Sequence, residues 1–395
     1  MVSVGEAEKV IQAHLFNPAI ENVSLKNSIE KILAEEIRAD RDLPPFNRAT
    51  MDGIAISFSS FEKGQTQFVI EGLQVAGQLQ QILSDNNNCI EIMTGAPLPQ
   101  GTDSVVPYEN LKINDKVASI LRESVFQNQN VHKKGSDAKQ NEILLQPGLK
   151  LSSVEIAILA SVGTSEVKIY KTPSAAVIST GDELVNVVQT PLPHQIRKSN
   201  SYAIVSELNK LGCKTESFHL KDDENDLATN LKSILEKFEL IILSGGVSKG
   251  KLDFVPKVLE TLGVKKLFHG VSQRPGKPMW FGVSDKNFVF ALPGNPVSTF
   301  MCFHRYVKPW LRKSLREELK PKNAILASDF SFTPSLTYFL QVKIENENGK
   351  LMAYPDAGGG SGDFINLKDV DGFLELPKDH SEFSAGSVFP FFQFR

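Results

Sequence analysis

The sequence has few cysteines and no long apolar run. Its 395 residues include only three cysteines, Cys89, Cys213 and Cys302, which are far apart and form no CxxC pair. This spacing argues against a disulfide framework or a cysteine-based zinc site and is typical of reduced, structural thiols. No apolar run approaches the roughly 18 residues of a membrane span, and the N-terminus lacks the pattern of a secretion signal. We therefore predict a soluble cytoplasmic protein that does not bind membranes.

The chain also lacks an excess of charge and any histidine motif. Lysine and arginine number 43 against 46 acidic residues, so a nucleic-acid partner is not expected. The seven histidines show neither HxxxH nor HExxH spacing, which leaves a zinc site or a Ser-His-Asp triad without support. Hydrophobic residues make up 41% of the chain, an ordinary globular value. At about 150 residues per domain, the length predicts two to four domains.

Apolar periodicity predicts a change of structure along the first half of the chain. Helical spacing predicts two short opening helices, over residues 4–15 and 25–37. From residue 46 to about 134, short β segments bounded by Gly, Pro and Asn indicate an inserted β-rich domain. A further apolar helix is predicted over residues 153–161.

From residue 174, predicted strands alternate with predicted helices. The strands cover 175–179, 215–219, 240–243 and 288–292, and the helices between them cover 202–211 and 226–238. Such alternation predicts a parallel, doubly wound sheet. After the last of these strands, Asn295 can cap a helix that begins at Pro296. Beyond residue 321, strands over 338–344 and 350–354 flank an Asn348-Gly349 turn, which indicates a small C-terminal β domain.

A glycine-rich turn follows the predicted strand 240–243. Gly245 and Gly246 allow close backbone approach, and successive N–H groups up to Ser248 can form an anion-binding nest. The glycines and Lys251 have Walker A spacing, but Leu252 stands where a P-loop has a hydroxyl side chain. A phosphate-binding turn is therefore favoured over a P-loop, with a plain structural turn as the alternative.

Acidic residues follow neighbouring elements of the same predicted sheet. Asp182 and Glu183 follow the first strand, in the segment 179–183, Asp222 follows the second, and Asp253 follows the glycine-rich turn. At one sheet edge these carboxylates would repel one another unless a hard cation lay between them, and Mg²⁺ binds carboxylate, water and phosphate oxygens. Taken singly, each acid is better explained as a helix cap or a solvated side chain.

Two later motifs offer positive charge and a helix N-terminus. The turn Arg274-Pro275-Gly276-Lys277 carries two cations three positions apart, which suits a small oxyanion; an exposed basic loop is the alternative. Ser298 lies in the first turn of the helix that follows Asn295, so this helix start is a second candidate anion site. A simple helix cap explains much of the same pattern.

Two short motifs lie at the border of the β-rich insertion. Asp52 precedes Gly53, and Thr94 precedes Gly95. Alone, both are generic turns.

Six motifs, taken in order, resemble the family of molybdopterin molybdenumtransferases that includes MoeA and the gephyrin E domain. They cover residues 50–53, 93–99, 179–184, 244–248, 275–278 and 292–298. The resemblance implies a multidomain α/β fold. Its domains would be an elongated N-terminal linker domain (1–45 and 135–172), an inserted β-rich domain (46–134), a doubly wound molybdopterin-binding domain (173–317) and a C-terminal β-barrel (318–395). It also implies a homodimer whose active site combines residues of both protomers.

The resemblance implies a magnesium-dependent transferase. Such enzymes insert molybdate into the dithiolene of adenylylated molybdopterin, cleave its pyrophosphate bond, and release AMP and molybdenum cofactor. The alternatives are a molybdopterin adenylyltransferase, which resembles residues 174–311 alone, and a non-catalytic pterin-binding scaffold. The additional β domains argue against the first, and the acids Asp52, Glu183 and Asp253 argue against the second. The adenylyltransferase and apo-molybdoenzymes are candidate partners.

The resemblance also assigns residue roles, by matched motif. Asp52, Thr94, Glu183 and Asp253 are expected to be catalytic, and Glu183, Asp222 and Asp253 to bind the metal. Expected substrate ligands are Ser179, Thr180, Gly181, Asp222, Gly245, Gly246, Ser248, Arg274, Lys277, Pro293, Pro296, Ser298 and Ser361. Arg274 stands where the family usually has lysine, and the arginine that the family commonly has near residues 338–341 is absent.

Overall fold

The computed structural model describes residues 1–121, 124–248 and 253–395. The chain forms two compact units: the first comprises Met1–Ala34, Pro147–Ser152 and Val167–Arg395, and the second Glu35–Gln146 and Ser153–Glu166. Within the described ranges, no helix has the length and apolar character needed to cross a membrane. The four domain boundaries implied by the resemblance stay a prediction.

A six-stranded sheet forms the centre of the first unit. In order across the sheet, its strands are Thr215–Leu220, Ala175–Thr180, Leu240–Ser244, Phe288–Leu292, Trp280–Val283 and Lys265–His269. The first four run parallel, and the inner three of these are almost wholly buried, as expected for strands covered on both faces. The last two strands were not predicted, and Trp280–Val283 runs antiparallel to both of its neighbours. The doubly wound sheet is confirmed, as a mixed rather than an all-parallel sheet.

Two hydrophobic clusters show how helices cover this sheet. Val177 and Ile242 belong to one cluster and their neighbours Ile178 and Leu243 to the other, because side chains alternate between the faces of a strand. The helices of the first cluster are Val4–Gln12, Asn200–Lys210, Pro296–Cys302 and Lys308–Ser314, with a π-helical segment Phe303–Val307 between the last two; those of the second are Glu224–Lys237 and Val255–Thr261.

The predicted helix over residues 25–37 is wrong. The chain makes a single 3₁₀ turn there, Leu25–Asn27. Glu30 has a positive φ of 64°, and the N–H groups of Glu30 and Leu33 donate to carbonyls of Pro147–Ser152. Because this distant segment satisfies the backbone, the local apolar periodicity does not produce a helix.

A second six-stranded sheet lies in the second unit. In order across the sheet, its strands are Ser104–Pro107, Gly53–Ile56, Asn88–Ile92, Gln67–Gln74, Val117–Ile120 and Leu111–Asn114. Ile54, Phe68 and Val106 are fully buried in its core. Arg48–Ala49 pairs with Val131–His132, and Ile37–Arg38 pairs with Ile143–Leu145. The helices are Phe58–Glu62 and Ser153–Ser161, of which the second has the predicted bounds.

Five strands near the C-terminus close into a barrel. They are Asn323–Leu326, Thr337–Glu347, Lys350–Pro355, Gly372–Leu376 and Val388–Gln393, and the ring closes because Thr337–Glu347 pairs with both Lys350–Pro355 and Gly372–Leu376. Asn348 and Gly349 both have positive φ in the predicted tight turn. Gln273 and Arg274 pair with Thr337 and Tyr338, so the basic turn begins at the edge of this barrel.

Short strands also form at Ile20–Ser24, Glu166–Tyr170, Leu184–Val185, Ile196–Arg197, Phe330–Ser331 and Glu382–Phe383, and 3₁₀ turns at Tyr108–Asn110 and Phe364–Lys368.

Candidate functional site

A cavity of about 360 Å³ lies where the parallel strands of the first unit end. We call it the strand-end cavity. Ligands of open α/β sheets bind at this edge, because the loops that follow the strands meet there. Its lining contains eleven of the predicted site residues: Ser179, Thr180, Gly181, Glu183, Asp222, Gly245, Gly246, Ser248, Asp253, Pro293 and Pro296.

The glycine-rich turn brings backbone close to this cavity. Gly245 has φ 102°, and a Cβ there would lie 2.7 Å from Thr180 Oγ1. No larger residue fits this turn without displacing its neighbour. The N–H of Gly245 donates to the Leu292 carbonyl at 3.2 Å, so this amide is not available to the predicted anion nest. The residues 249–252 that prompted the Walker A comparison lie outside the described ranges.

The acidic residues interact electrostatically, as their shared placement predicted. The pKa of Asp222 is raised by burial and then by Glu183, Asp182 and Asp253. Asp222 Oδ1 is buried without a hydrogen-bond partner among the described residues, and so is Thr180 Oγ1. Buried oxygens of this kind need a partner, because an unpaired polar atom loses its hydration. Both atoms therefore mark a place where a ligand or cation can bind.

The acids do not form a complete metal site by themselves. In the described part of the chain, no group of three or more His, Cys, Asp or Glu side chains could hold a metal ion. The expected roles of Glu183, Asp222 and Asp253 as metal ligands stay a prediction.

The sequence analysis missed three polar residues of the strand-end cavity. Arg197, Lys198 and Asn200 line it, at the start of the helix Asn200–Lys210. The Asn200 amide donates to Ser244 Oγ and to the Gly294 carbonyl, both at 2.8 Å, so it ties three loops together. Lys198 lowers the pKa of His219, after the larger effect of burial. A basic pair directly before a helix start is the signal that could have identified them.

A second cavity, of about 570 Å³, adjoins the first and shares Pro278, Pro293 and Asn295 with it. We call it the turn cavity, because the basic turn forms one of its walls. Its lining includes Arg274, Lys277, Ser298, Tyr338 and Ser361. Among the described residues, neither Arg274 nor Lys277 has a carboxylate within ion-pair distance. Two uncompensated cations thus face a cavity large enough for a small molecule.

Aromatic rings position Arg274. Its guanidinium carbon lies 5.8 Å from the centre of the Phe332 ring. Phe332 stacks on Tyr338 at 4.2 Å, and Tyr338 stacks on Phe330 at 5.7 Å. A planar guanidinium can stack on such a ring and keep its N–H groups free for a ligand.

The start of the helix Pro296–Cys302 differs from the predicted cap. Asn295 is the N-cap residue, but its side chain makes no capping bond. Its amide instead donates to Ser361 Oγ at 2.8 Å, and the N–H of Val297 donates to the Ser361 carbonyl at 3.1 Å. A loop distant in sequence thus takes the place of the local cap and brings Ser361 to the turn cavity.

Comparisons with known proteins match nearly the whole chain. The "MoeA N-terminal region (domain I and II)" model matches residues 2–163, the "Probable molybdopterin binding domain" residues 176–313, and the "MoeA C-terminal region (domain IV)" residues 323–394. A molybdopterin molybdenumtransferase of Synechocystis sp. is 39% identical, covering 99% of this chain and 100% of that one. The chain belongs to the MoeA family. A Staphylococcus epidermidis molybdopterin molybdenumtransferase is 30% identical over 98% of this chain and 94% of its own.

A solved structure has the same fold as this MoeA chain. The molybdopterin biosynthesis MoeA protein of Pyrococcus horikoshii superposes with a TM-score of 0.84 at 30% identity, covering 100% of this chain and 99% of the other. The predicted fold class, with its doubly wound domain and C-terminal barrel, is confirmed.

Two predicted site residues of this MoeA chain, Asp52 and Thr94, lie in the second unit and bind each other. Asp52 Oδ1 accepts from the Thr94 N–H at 2.6 Å and from Thr94 Oγ1 at 2.7 Å. Both hydrogen bonds lower the pKa of Asp52, and the bond from the backbone N–H has the larger effect. The carboxylate is therefore held ionised in a fixed orientation. The catalytic roles of both residues stay a prediction.

Proposed function

We propose that this chain is a molybdopterin molybdenumtransferase that inserts molybdate into adenylylated molybdopterin and releases AMP. The observation that carries the proposal is that two cavities of the first unit share one wall. One has the features of a phosphate site, and the other has two cations that form no ion pair with any described carboxylate. A reaction between an oxyanion and a phosphate-linked pterin needs both partners held side by side.

The strand-end cavity is the proposed site of the pyrophosphate group. Lys198 and Arg197 supply positive charge, and Thr180 Oγ1 supplies a hydroxyl donor that has no hydrogen-bond partner among the described residues. Their hydrogen bonds would hold the phosphates in one orientation. Glu183 and Asp253, which line the same cavity, would orient the oxygen nucleophile that cleaves the phosphate link.

A magnesium ion fits the donors in this cavity. Asp222 Oδ1 and Thr180 Oγ1 are buried oxygens with no hydrogen-bond partner in the described part of the chain, and Mg²⁺ prefers oxygen ligands. Mg²⁺ is usually held by one or two carboxylates together with substrate phosphates and water, which agrees with the lack of a complete triad among the described residues. We assign that role to Asp222 with Glu183 or Asp253. When bound, the ion would offset the negative charge of the phosphates.

The turn cavity is the proposed molybdate site. Arg274 and Lys277 provide two cations, and Ser298 and Ser361 provide hydroxyl groups in the same lining. A small dianion gains most from charge-assisted bonds of this kind. No carboxylate of the described residues neutralises the two cations, so none of these residues competes with an anionic substrate for them.

Release of AMP from adenylylated molybdopterin, measured with and without molybdate, tests the function. We expect AMP release to depend on molybdate. Adenylylation of molybdopterin by ATP would instead indicate the adenylyltransferase, and pterin binding without AMP release would indicate the scaffold.

Replacing Phe332 by leucine should weaken the response to molybdate. The Phe332→Leu variant loses a cation–π contact of about 0.5–2 kcal/mol. The molybdate concentration that gives half-maximal AMP release, which we call the molybdate midpoint, should therefore rise by roughly 2- to 30-fold. Phe330→Leu is the matched control, because Phe330 stacks on Tyr338 and not on Arg274. Equal midpoints in the two variants would show that Phe332 does not orient Arg274.

We also propose a homodimer whose active site uses both protomers. The segment 187–196 exposes Val187, Val188, Leu192 and Ile196, and Ile196 also lines the strand-end cavity. Clustered apolar exposure of this kind is typical of an interaction surface. Light scattering should give about twice the chain mass of 43.6 kDa. A monomer with full activity at micromolar concentration would contradict the shared site.

A further inference from the structure

We propose that Gln273 and Tyr306 are positioning residues that hold the basic turn in the conformation that binds the oxyanion. Both side chains are uncharged, and neither residue belongs to a motif that the sequence analysis identified. The inference rests on the proposed role of Arg274 and Lys277 as molybdate ligands. It concerns how those two cations are kept on one side of the turn cavity.

Gln273 spans the turn with its side-chain amide. It is fully buried and directly precedes Arg274. Its Nε2 donates to the Gly276 carbonyl at 3.1 Å, and its Oε1 accepts from the Tyr306 hydroxyl. A single amide therefore connects the base of the turn, the middle of the turn and a distant helix.

The two ends of this amide are not interchangeable. The Gly276 carbonyl can only accept a hydrogen bond, so it requires the NH₂ end of Gln273. Burial raises the pKa of Tyr306 well above its ordinary value, so its hydroxyl stays protonated and donates to the other end. Cys302 Sγ lies 3.5 Å from Nε2, and burial raises the pKa of this thiol as well. The surroundings thus fix the amide in one orientation.

The turn has no room to adjust around this contact. Gly276 has φ 90°, and a Cβ there would lie 2.6 Å from Cys302 Sγ and 2.8 Å from Gln273 Nε2. The N–H of Val271 donates to the Lys277 carbonyl at 2.8 Å, which closes the base of the turn. If the hydrogen bond from Gln273 to Gly276 were lost, the backbone of the turn would therefore shift and Lys277 would move with it.

The hydrogen bonds from Tyr306 to Gln273 and from Gln273 to Gly276, which we call the relay, also connect two walls of the turn cavity. Tyr306 lies in the π-helical segment Phe303–Val307, which continues the helix that carries Ser298. Through Tyr306 and Gln273, the wall that holds Ser298 is hydrogen-bonded to the wall that holds Lys277. We infer that this link sets the spacing of the oxyanion ligands.

Tyr306→Phe tests the relay with the smallest change. It keeps the ring and removes only the hydroxyl, which leaves Gln273 Oε1 without its donor. Loss of one hydrogen bond should raise the molybdate midpoint of AMP release roughly 3- to 10-fold. Binding of adenylylated molybdopterin, measured by calorimetry, should not change. Tyr354→Phe is the matched control, because Tyr354 is exposed and its hydroxyl binds Glu347 outside both cavities.

Gln273→Glu is the second variant and adds a pH readout. As a buried neutral acid, the new side chain can accept from Tyr306 and donate to Gly276. Once ionised, it can only accept, and it repels the Gly276 carbonyl. Since burial raises the pKa of a carboxyl group, the molybdate midpoint of this variant should rise with pH more steeply than that of the wild type.

Lys277→Ala is measured alongside these variants. It separates the proposed binding of molybdate by the basic turn from the proposed positioning of that turn by Gln273 and Tyr306. If Lys277→Ala raises the molybdate midpoint but Tyr306→Phe and Gln273→Glu behave as wild type, the relay is wrong and the cation turn stands. If Lys277→Ala has no effect, the basic turn does not bind molybdate, and the role proposed for the relay is wrong as well. If Tyr306→Phe fails to fold, the pH profile of Gln273→Glu decides. Equal losses of pterin and molybdate binding would show a purely structural role and overturn the inference.

Discussion

Glu183→Gln or Asp253→Asn should lower the rate of AMP release roughly 100-fold or more without unfolding the protein. Each variant removes one negative charge from the strand-end cavity and keeps the size of the side chain. If these carboxylates orient the nucleophile or help hold Mg²⁺, their loss raises the barrier by about 2.7 kcal/mol at 100-fold. The rate is measured at saturating molybdate and pterin, and thermal unfolding checks the fold.

Asp182→Asn is the control for this prediction. Asp182 has the same charge and directly precedes Glu183, but it does not line the strand-end cavity. Its replacement should change the rate far less than that of Glu183. Near wild-type AMP release in Glu183→Gln or Asp253→Asn would contradict the role assigned to these acids.

Lys277→Ala should raise the molybdate requirement more than it weakens pterin binding. Removal of one charge-assisted partner costs on the order of 1.5–3 kcal/mol, which corresponds to a roughly 10- to 150-fold higher molybdate midpoint. The midpoint is measured by AMP release across a molybdate titration, and the binding of adenylylated molybdopterin is measured separately by calorimetry. Replacement of Arg274 should act in the same direction.

Lys286→Ala serves as the control, because Lys286 is an exposed lysine outside both cavities. It should leave the molybdate midpoint unchanged. If Lys277→Ala instead abolishes nucleotide binding at an unchanged midpoint, the basic turn binds phosphate. The molybdate site would then lie nearer Ser298 or Ser361.

The sequence predicted the strand-end cavity well because the rule involved is local. Its glycines and most of its acids lie in loops that directly follow a strand, and the ends of parallel strands meet at one edge. Glu183, Asp222 and Gly245 could therefore be grouped without coordinates, and the structure places all three in one lining. Lys198 was missed because its segment follows no predicted strand.

Features that depend on pairing between distant segments could not be predicted in this way. The residues 25–37 have helical periodicity, but hydrogen bonds to Pro147–Ser152 replace the helix. Asn295 has the chemistry of a cap, yet it binds Ser361, 66 residues later. The relay from Tyr306 to Gln273 likewise joins residues 33 positions apart. No local pattern signals such contacts.

A crystal structure with bound molybdate and AMP tests the central claim most directly, because the anomalous signal of molybdenum locates the metal oxyanion. The account predicts molybdenum in the turn cavity, within ion-pair distance of Lys277 and Arg274, and the AMP phosphate in the strand-end cavity beside Gly245 and Lys198. Molybdenum in the strand-end cavity, or the AMP phosphate bound by Lys277, would contradict it.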